Sequence, residues 1–215
     1  MFISSKMIRF LVIDDHEIVR KGLQLFLTDF YPGSTVAEAR TGDEAVDLLK
    51  KERFTLVILD LQIPNTNSFN ILDFIKTQYP ETRVLVFSMS PESLYGKRVI
   101  KAGADGYLPK ESSVDDIRTA VDTLLKNKKY VSPRLVEILV EEMNNEQLNN
   151  PFSKLSSREF EIATFLLSGM PVSEIADRVS LQPSTVGTYK SRIFQKLNVS
   201  NLIELKELAN IYNFS

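Results

Sequence analysis

Three aspartates, a serine and a lysine, spread over about a hundred residues, carry the first chemical signal in this chain. Asp14 and Asp15 follow the short apolar run 9–13, and Asp60 follows the run 55–59. Ser88 closes the run 83–87, and Lys110 stands just past 106–108. If these runs are parallel strands and the first lies beside the third, all three carboxylates converge at one end of a sheet. Such a cluster cannot stay ionised without a counter-charge. A hard divalent cation that takes oxygen ligands, Mg²⁺ above all, supplies one. An aspartate held by a cation and a lysine is a sound phosphoryl acceptor. The metal neutralises the transferring oxygens, Lys110 pairs with the new phosphate, and the Ser88 hydroxyl bonds to it. Taken singly, each residue has a plainer role. An Asp at a strand end is more often a helix N-cap, Lys110 a surface lysine and Ser88 a turn residue. The reading rests on all of them ending strands in this order.

The elements that must position these groups are legible in the first 127 residues. Apolar runs at 9–13, 35–38, 55–59, 83–87 and 106–108 read as strands. Between them, apolar residues recur at helical spacing, as in Val19, Leu23, Phe26 and Phe30, or Ile117, Ala120, Val121 and Leu124. Gly33, Gly42, Pro80, Pro91 and Gly103 punctuate the boundaries. Strands alternating with helices predict an α/β domain built on a doubly wound five-stranded parallel sheet. With the order 2-1-3-4-5, the ligand crevice falls at the carboxyl ends of strands 1 and 3. Pro109 has no N–H to give, which suits strand 5 being an edge.

Here the chain resembles the receiver domains of bacterial two-component response regulators. The resemblance lies in Asp14-Asp15-His16, Asp60-Leu61-Gln62-Ile63-Pro64, Phe87-Ser88 and Gly106-Tyr107-Leu108-Pro109-Lys110, within residues 7–127. It implies a flavodoxin-like fold in which Asp60 is phosphorylated by a sensor histidine kinase. It implies further that Asp14, Asp15, Asp60 and the main-chain carbonyl of Gln62 hold Mg²⁺. Ser88 and Tyr107 would form a switch pair, Lys110 would bind the phosphoryl group, and His16 would be structural. One departure stands out: Asn67-Ser68 occupies the loop position where the family commonly has Asp-Gly. Glycine accepts left-handed backbone angles that serine resists.

After residue 127 the rhythm changes. Pro133 can open a helix running through Met143, and residues 144–151, rich in Asn, read as an exposed linker, so that 128–152 joins two domains. From Leu155 on there is no strand pattern, and helices are expected at 157–167, 172–179, 184–197 and 202–212, making an all-α four-helix domain over 153–215. On a wheel of 184–197, Val186, Ile193 and Leu197 form an apolar stripe, with Ser184, Thr188, Ser191 and Gln195 opposite. A polar face of short side chains lets a helix enter the major groove, with flanking basic residues on phosphates. No acid occurs from 179 to 203, where Lys190, Arg192 and Lys196 fall. By itself that pattern equally suits a solvated helix surface. Leu155-Ser156-Ser157-Arg158-Glu159, Ser173-Glu174-Ile175-Ala176, Ser184-Thr185-Val186 and Lys196-Leu197-Asn198-Val199 resemble the LuxR-type helix-turn-helix of NarL/FixJ-like regulators. The resemblance implies a double-stranded promoter as ligand, contacted by Ser184, Thr185, Gly187, Thr188, Lys190, Ser191, Arg192 and Lys196. Gly187 stands where the family commonly has a long basic residue. Leu202, Leu205, Leu208 and Ala209 of the last helix offer an apolar surface for core packing or for pairing with a second copy.

Composition narrows the setting. The 215 residues are 43% hydrophobic and 25% charged, ordinary for a water-soluble chain. No apolar run has the length to cross a bilayer, and the run 8–13 reads as a strand rather than a signal peptide. With no cysteine and one histidine, disulfides, thiolate metal sites and zinc sites are not expected. The expectation is therefore a cytoplasmic transcription regulator, not an enzyme, that becomes a homodimer when phosphorylated. Two rivals differ from it. A phosphotransferase would use Asp60 as its nucleophile, but haloacid-dehalogenase-like enzymes place a second acid where Gln62 stands. A constitutive DNA binder would keep the pocket without phosphate control.

Overall fold

The computed structural model describes residues 7–144, 150–212 and 214, in two units, Met1–Leu139 and Val140–Ser215. In the first, strands and helices alternate in chain order: β1 (Arg9–Ile13), α1 (Glu17–Phe30), β2 (Thr35–Ala39), α2 (Gly42–Lys51), β3 (Leu56–Leu59), α3 (Ser68–Gln78), β4 (Arg83–Ser88), α4 (Glu92–Lys101), β5 (Gly106–Pro109) and α5 (Val114–Leu125). The strands form one parallel sheet in the order β2-β1-β3-β4-β5. β3 is buried throughout, β1 over Phe10–Ile13 and β4 over Val84–Ser88. Strands covered on both faces read as continuous apolar runs, which is why they stood out in the sequence.

The register sets the mouth of the sheet. Ile13 pairs with both Ala39 and Leu59, and Ser88 pairs with Pro109. Hydrogen bonds continue one step beyond the strands: Asp60 N donates to Ile13 O at 2.9 Å, and Lys110 N to Ser88 O at 3.0 Å. Strand ends are therefore level, and Asp14, Asp60 and Lys110 leave the sheet side by side. α1 and α5 close one face over Phe10, Val12, Leu56, Ile58, Leu85 and Phe87. α5 opens on a capping box in which Ser113 and Asp116 satisfy each other's backbone amides.

The receiver-like unit runs on past residue 127, where the sequence placed its end. Tyr130 N donates to Asp105 O at 2.8 Å, and Tyr130 forms a parallel bridge to Gly106. A Cβ at Gly106 would lie 3.2 Å from both the Tyr130 Cβ and its carbonyl, so the glycine allows this approach. Ser132 Oγ then accepts from Leu135 N at 3.0 Å at the start of α6 (Pro133–Asn144), and Leu135 is fully buried. The polar run Lys126–Lys129 concealed this continuation.

The second unit comprises a 3₁₀ turn (Pro151–Lys154), α7 (Ser157–Leu167), α8 (Val172–Arg178), α9 (Pro183–Leu197) and α10 (Leu202–Ile211). Part of the expected linker, 145–149, lies outside the described residues. The end of the joining segment, from Asn150 to Phe152, does not behave as linker. Asn150 Oδ1 caps Phe152 N at 3.0 Å, and the buried Phe152 ring stacks on Phe214 with centroids 3.9 Å apart. α7 begins in a Ser156/Glu159 capping box and ends at Gly169, whose φ of 83° only glycine adopts freely. Met170 N to Phe165 O and Gly169 N to Leu166 O, both 3.1 Å, complete a Schellman stop. Val186, Ile193 and Leu197 of α9 are buried, as the wheel required. In α10, Leu205 and Ala209 enter the core, whereas Ile203 and Ile211 are exposed.

Candidate functional site

Asp14, Asp15, His16 and Asp60 each present a ligand atom within 4.8 Å of the others. At such separations, two carboxylates repel by about 3–4 kcal/mol at an effective dielectric constant near 20. Lys110 relieves part of this: its Nζ lies 2.6 Å from Asp14 Oδ2 and 2.8 Å from Asp60 Oδ2, with the side chain only 7% exposed. Burial alone would lower the Lys110 pKa. The ion pairs with Asp14 and Asp60 more than offset it and raise the pKa above the ordinary lysine value. Three carboxylates against one ammonium still leave two negative charges. Asp60 Oδ1 and Asp15 Oδ1 are buried and have no hydrogen-bond partner among the described residues. His16 Nδ1 stands 3.0 Å from Asp15 Oδ1, outside hydrogen-bonding geometry. Two unsatisfied carboxylate oxygens beside two uncompensated charges fit a hard divalent cation.

The acids are held in place from behind. His16 N donates to Asp14 Oδ1 at 2.8 Å. Arg20, 5% exposed, donates from Nη1 to the Asp14 carbonyl at 2.7 Å and from Nε to Glu38 Oε2 at 3.2 Å. Sequence reasoning missed Arg20. Its signal was there, because Arg20, Leu23 and Leu27 share the spacing of the buried face of α1.

Asn67 and Ser68 do not need the left-handed backbone that the Asp-Gly comparison implied. Asn67 has φ −89° and caps α3, accepting from Phe69 N at 3.1 Å and Asn70 N at 3.2 Å. The left-handed residue of this loop is Asn65, at φ 61°. Ser68 is buried, and its hydroxyl donates to Leu61 O at 3.1 Å, one residue past Asp60. The substitution thus braces the loop.

Ser88 and Tyr107 are both fully buried. The Ser88 hydroxyl donates to Ser90 Oγ at 3.4 Å, and the Tyr107 hydroxyl donates to the Ser90 carbonyl. Burial, with Glu92, Tyr95 and Asp60 adding to it, pushes the Tyr107 phenol well above its ordinary pKa, so it remains a donor. Ser90, which the sequence did not single out, is where the two meet.

In the second unit, α9 presents the expected polar face. Ser184, Thr188, Ser191, Arg192 and Lys196 are exposed, and Thr185, Gly187 and Lys190 are half-buried. Thr188 and Ser191 each bond back to the carbonyl four residues earlier, at 3.1 Å. Lys190 lays its ammonium 5.5 Å from the Phe194 ring centre, a snorkelling route out of an apolar neighbourhood. Lys196 differs from its neighbours, because its Nζ is 2.6 Å from Glu159 Oε2. Burial would raise the Glu159 carboxyl, and Lys196 with Ser156 outweighs it and holds the carboxyl below its usual range. Arg158 bridges Glu161 at 2.7 Å and also donates to the Val179 carbonyl, fixing α7 to the turn before α9.

Comparison with known proteins bears on both units. Residues 10–122 match the family model for the response regulator receiver domain, and 153–209 match that for bacterial regulatory proteins of the luxR family. The chain is similar to the response regulator GacA of Pseudomonas protegens, 32% identical over 203 residues covering 94% of this chain and 95% of that one. It is 29% identical to the response regulator UvrY of Escherichia coli K12, covering 94% of each. Among solved structures, the RcsB response regulator of Salmonella typhimurium matches with TM-score 0.69 at 23% identity, over 94% of this chain and 96% of that one. RcsB of Salmonella enterica serovar Typhimurium, bound to promoter rprA with phosphomimetic BeF3−, matches with TM-score 0.65 at 22% identity, over 94% and 98%. The structural likeness supports the fold, and the sequence likeness runs through both domains in the same order. The chain therefore belongs to the two-component response regulators that join a receiver domain to a LuxR-type DNA-binding domain, a family of transcription regulators and not of enzymes.

Proposed function

We propose that Asp60 accepts a phosphoryl group from a histidine kinase in a Mg²⁺-dependent step, and that this controls dimerisation and promoter binding. The observation that carries the reading is the Asp60 carboxylate, buried, held on one oxygen by Lys110 and lacking a hydrogen bond on the other among the described residues. In the transfer, an Asp60 oxygen forms a bond to phosphorus as the phosphorus–nitrogen bond of the donor histidine breaks. Asp14, Asp15, Asp60 and the carbonyl of Gln62 would hold Mg²⁺, which when bound neutralises charge on the transferring oxygens. Lys110 already spans Asp14 and Asp60, and it needs only to shift its bonds to pair with phosphoryl oxygens. The Ser88 hydroxyl and the Tyr107 ring then follow the new group, drawing on the Ser90 contacts described above.

At the other end of the chain, α9 enters the major groove. Ser184, Thr185, Gly187, Thr188 and Ser191 face bases, and Lys190, Arg192 and Lys196 lie toward phosphates. Lys196 must share its ammonium with Glu159. Two copies on adjacent half-sites raise effective concentration without new contacts. A promoter-binding regulator acts in the cytoplasm, and among the described residues no helix is long and apolar enough to cross a membrane.

The test is intact-mass measurement with acetyl phosphate and Mg²⁺, alongside promoter titration. One phosphoryl group, absent from Asp60→Asn and from samples without Mg²⁺, is expected together with tighter DNA binding. Labelling that persists in Asp60→Asn overturns the assignment.

A further inference from the structure

The segment that leaves the receiver is fastened to α4, the helix that follows Ser88 and Ser90 in the chain. Glu92, the first residue of α4, is 6% exposed, and Ser132, just before α6, is 9% exposed. Ser132 Oγ donates to Glu92 Oε1 at 2.8 Å while accepting from Leu135 N at 3.0 Å. One hydroxyl therefore both caps α6 and ties it to α4. One turn along α4, Gly96 leaves the space that Leu135 fills: a Cβ there would lie 3.0 and 3.1 Å from the two Leu135 methyls. Burial raises the Glu92 carboxyl above its ordinary pKa, with Ser132 and Arg134 opposing, which fits a side chain covered by this contact. Tyr130 completes the attachment through Asp105 and Gly106.

The same first turn of α4 answers to the pocket. Glu92 lies two residues beyond Ser90, whose carbonyl takes the Tyr107 hydroxyl and whose Oγ takes that of Ser88. Burial first, then nearby acids including Glu92, raises the phenols of both Tyr107 and Tyr130. A short route thus runs by hydrogen bonds from Ser88 and Tyr107 to Ser90, along the backbone through Pro91 to Glu92, and by a further hydrogen bond to Ser132 at the start of α6.

We propose that the Glu92–Ser132 hydrogen bond, seated by Leu135 over Gly96, is a latch that reports the state of the Asp60 pocket to α6, the helix leading to the DNA-binding domain. The inference rests on phosphorylation of Asp60. When Ser88 and Tyr107 turn toward the phosphoryl group, Ser90 loses its partners and the first turn of α4 shifts. Glu92 then releases Ser132, and α6 loses both its tether and a settled N-cap. The coupling needs no contact between the domains themselves, only a two-state attachment biased from the pocket.

The experiment is hydrogen exchange of the backbone amides of residues 130–137 in the full chain, with Mg²⁺ and with or without acetyl phosphate. Intact mass is measured on the same samples. In the wild type, phosphorylation should accelerate exchange there by about five- to tenfold, the worth of one hydrogen bond. Ser132→Ala and Gly96→Ala should exchange at the accelerated rate before any phosphorylation and gain little more from it, with phosphoryl uptake unchanged. Gly96→Ala is informative because alanine favours the helix of α4 while unseating Leu135, so a fold defect is not its expected effect. Ser132→Thr, which keeps the hydroxyl, should restore the response. Unchanged exchange in wild-type protein whose mass carries the phosphoryl group overturns the latch and leaves phosphorylation standing. So do variants that exchange like the wild type. If the mass shows no phosphoryl group, both readings fall, and the mass alone separates the cases.

Discussion

Asp15 and Ser88 both stand at the carboxyl end of the sheet but differ in chemistry, and that difference is measurable. Among the described residues Asp15 offers a carboxylate oxygen with no hydrogen bond, whereas the Ser88 hydroxyl is engaged with Ser90. Asp15→Ala should therefore weaken Mg²⁺ binding by at least about 10- to 100-fold, the loss found when even the outer partners of a metal site are changed. Ser88→Ala should leave that affinity nearly unchanged. Metal titration by calorimetry decides, and equal affinities would remove Asp15 from the ligand set. Arg20 belongs to the same argument as a positioning residue, since it holds the Asp14 carbonyl and not the carboxylate.

At the scale of elements, ion pairs and helix faces answer to different probes. Asp105 starts the turn into β5, with Oδ2 2.9 Å from Lys76 and Oδ1 2.8 Å from Arg83. Burial pushes its carboxyl up, and Lys76, the Val84 amide and Arg83 outweigh that, holding it below its ordinary value of 3.8. The stability it contributes is thus fully present above the unfolded value of 3.8 and is lost as pH falls through the lower folded value. Asp105→Asn should cost about 3 kcal/mol at neutral pH, because two cations lose their partner. Denaturant unfolding at pH 7 and in acid should show that difference shrinking; a constant gap would mean the charge is not what matters. On α9, the exposed Arg192 and the buried Val186 make a second contrast. Arg192→Ala should leave the fold intact and lower the salt slope of promoter binding by about 1, one phosphate contact fewer. Val186→Asp should destabilise the domain by about 3–5 kcal/mol, since an unpaired charge would enter the core. Unaltered binding and slope in Arg192→Ala would exclude it from the interface.

For the whole molecule, phosphorylation adds about −1.5 to −2 charges at Asp60, and the consequence sought is a change of association. Sedimentation of the phosphorylated and unmodified chain should show a shift toward dimer, with promoter affinity rising in step. Identical mass distributions and identical affinities would favour a constitutive DNA binder. Ile203 and Ile211 project from α10, 71% and 72% exposed, and they belong among the surfaces to vary in that experiment. Of the four α10 residues that the sequence offered for core packing or pairing, Leu205 and Ala209 are buried in the domain, whereas Leu202 and Leu208 are half-buried.

The sequence by itself determined the strand runs and, given the order 2-1-3-4-5 that the family resemblance implied, the convergence of Asp14, Asp15, Asp60 and Lys110. Buried parallel strands are continuous apolar runs, and polar residues at their ends mark the mouth of the sheet whatever the packing detail. It also determined the buried stripe of α9, because helical period is a local property. Tertiary structure decided what depends on partners distant in the chain. Lys196 reads as a free cation until Glu159, 37 residues away, is brought against it. Phe152 reads as linker until Phe214 stacks on it, and Arg20 as a surface arginine until Asp14 and Glu38 enclose it. Residues 130–135 show the same limit. A serine before a proline announces only a helix start, and nothing local reveals that Glu92, forty positions earlier, will accept its hydrogen bond. Local pattern fixes which face of an element is buried; only packing fixes what that face, or a polar group beside it, will meet.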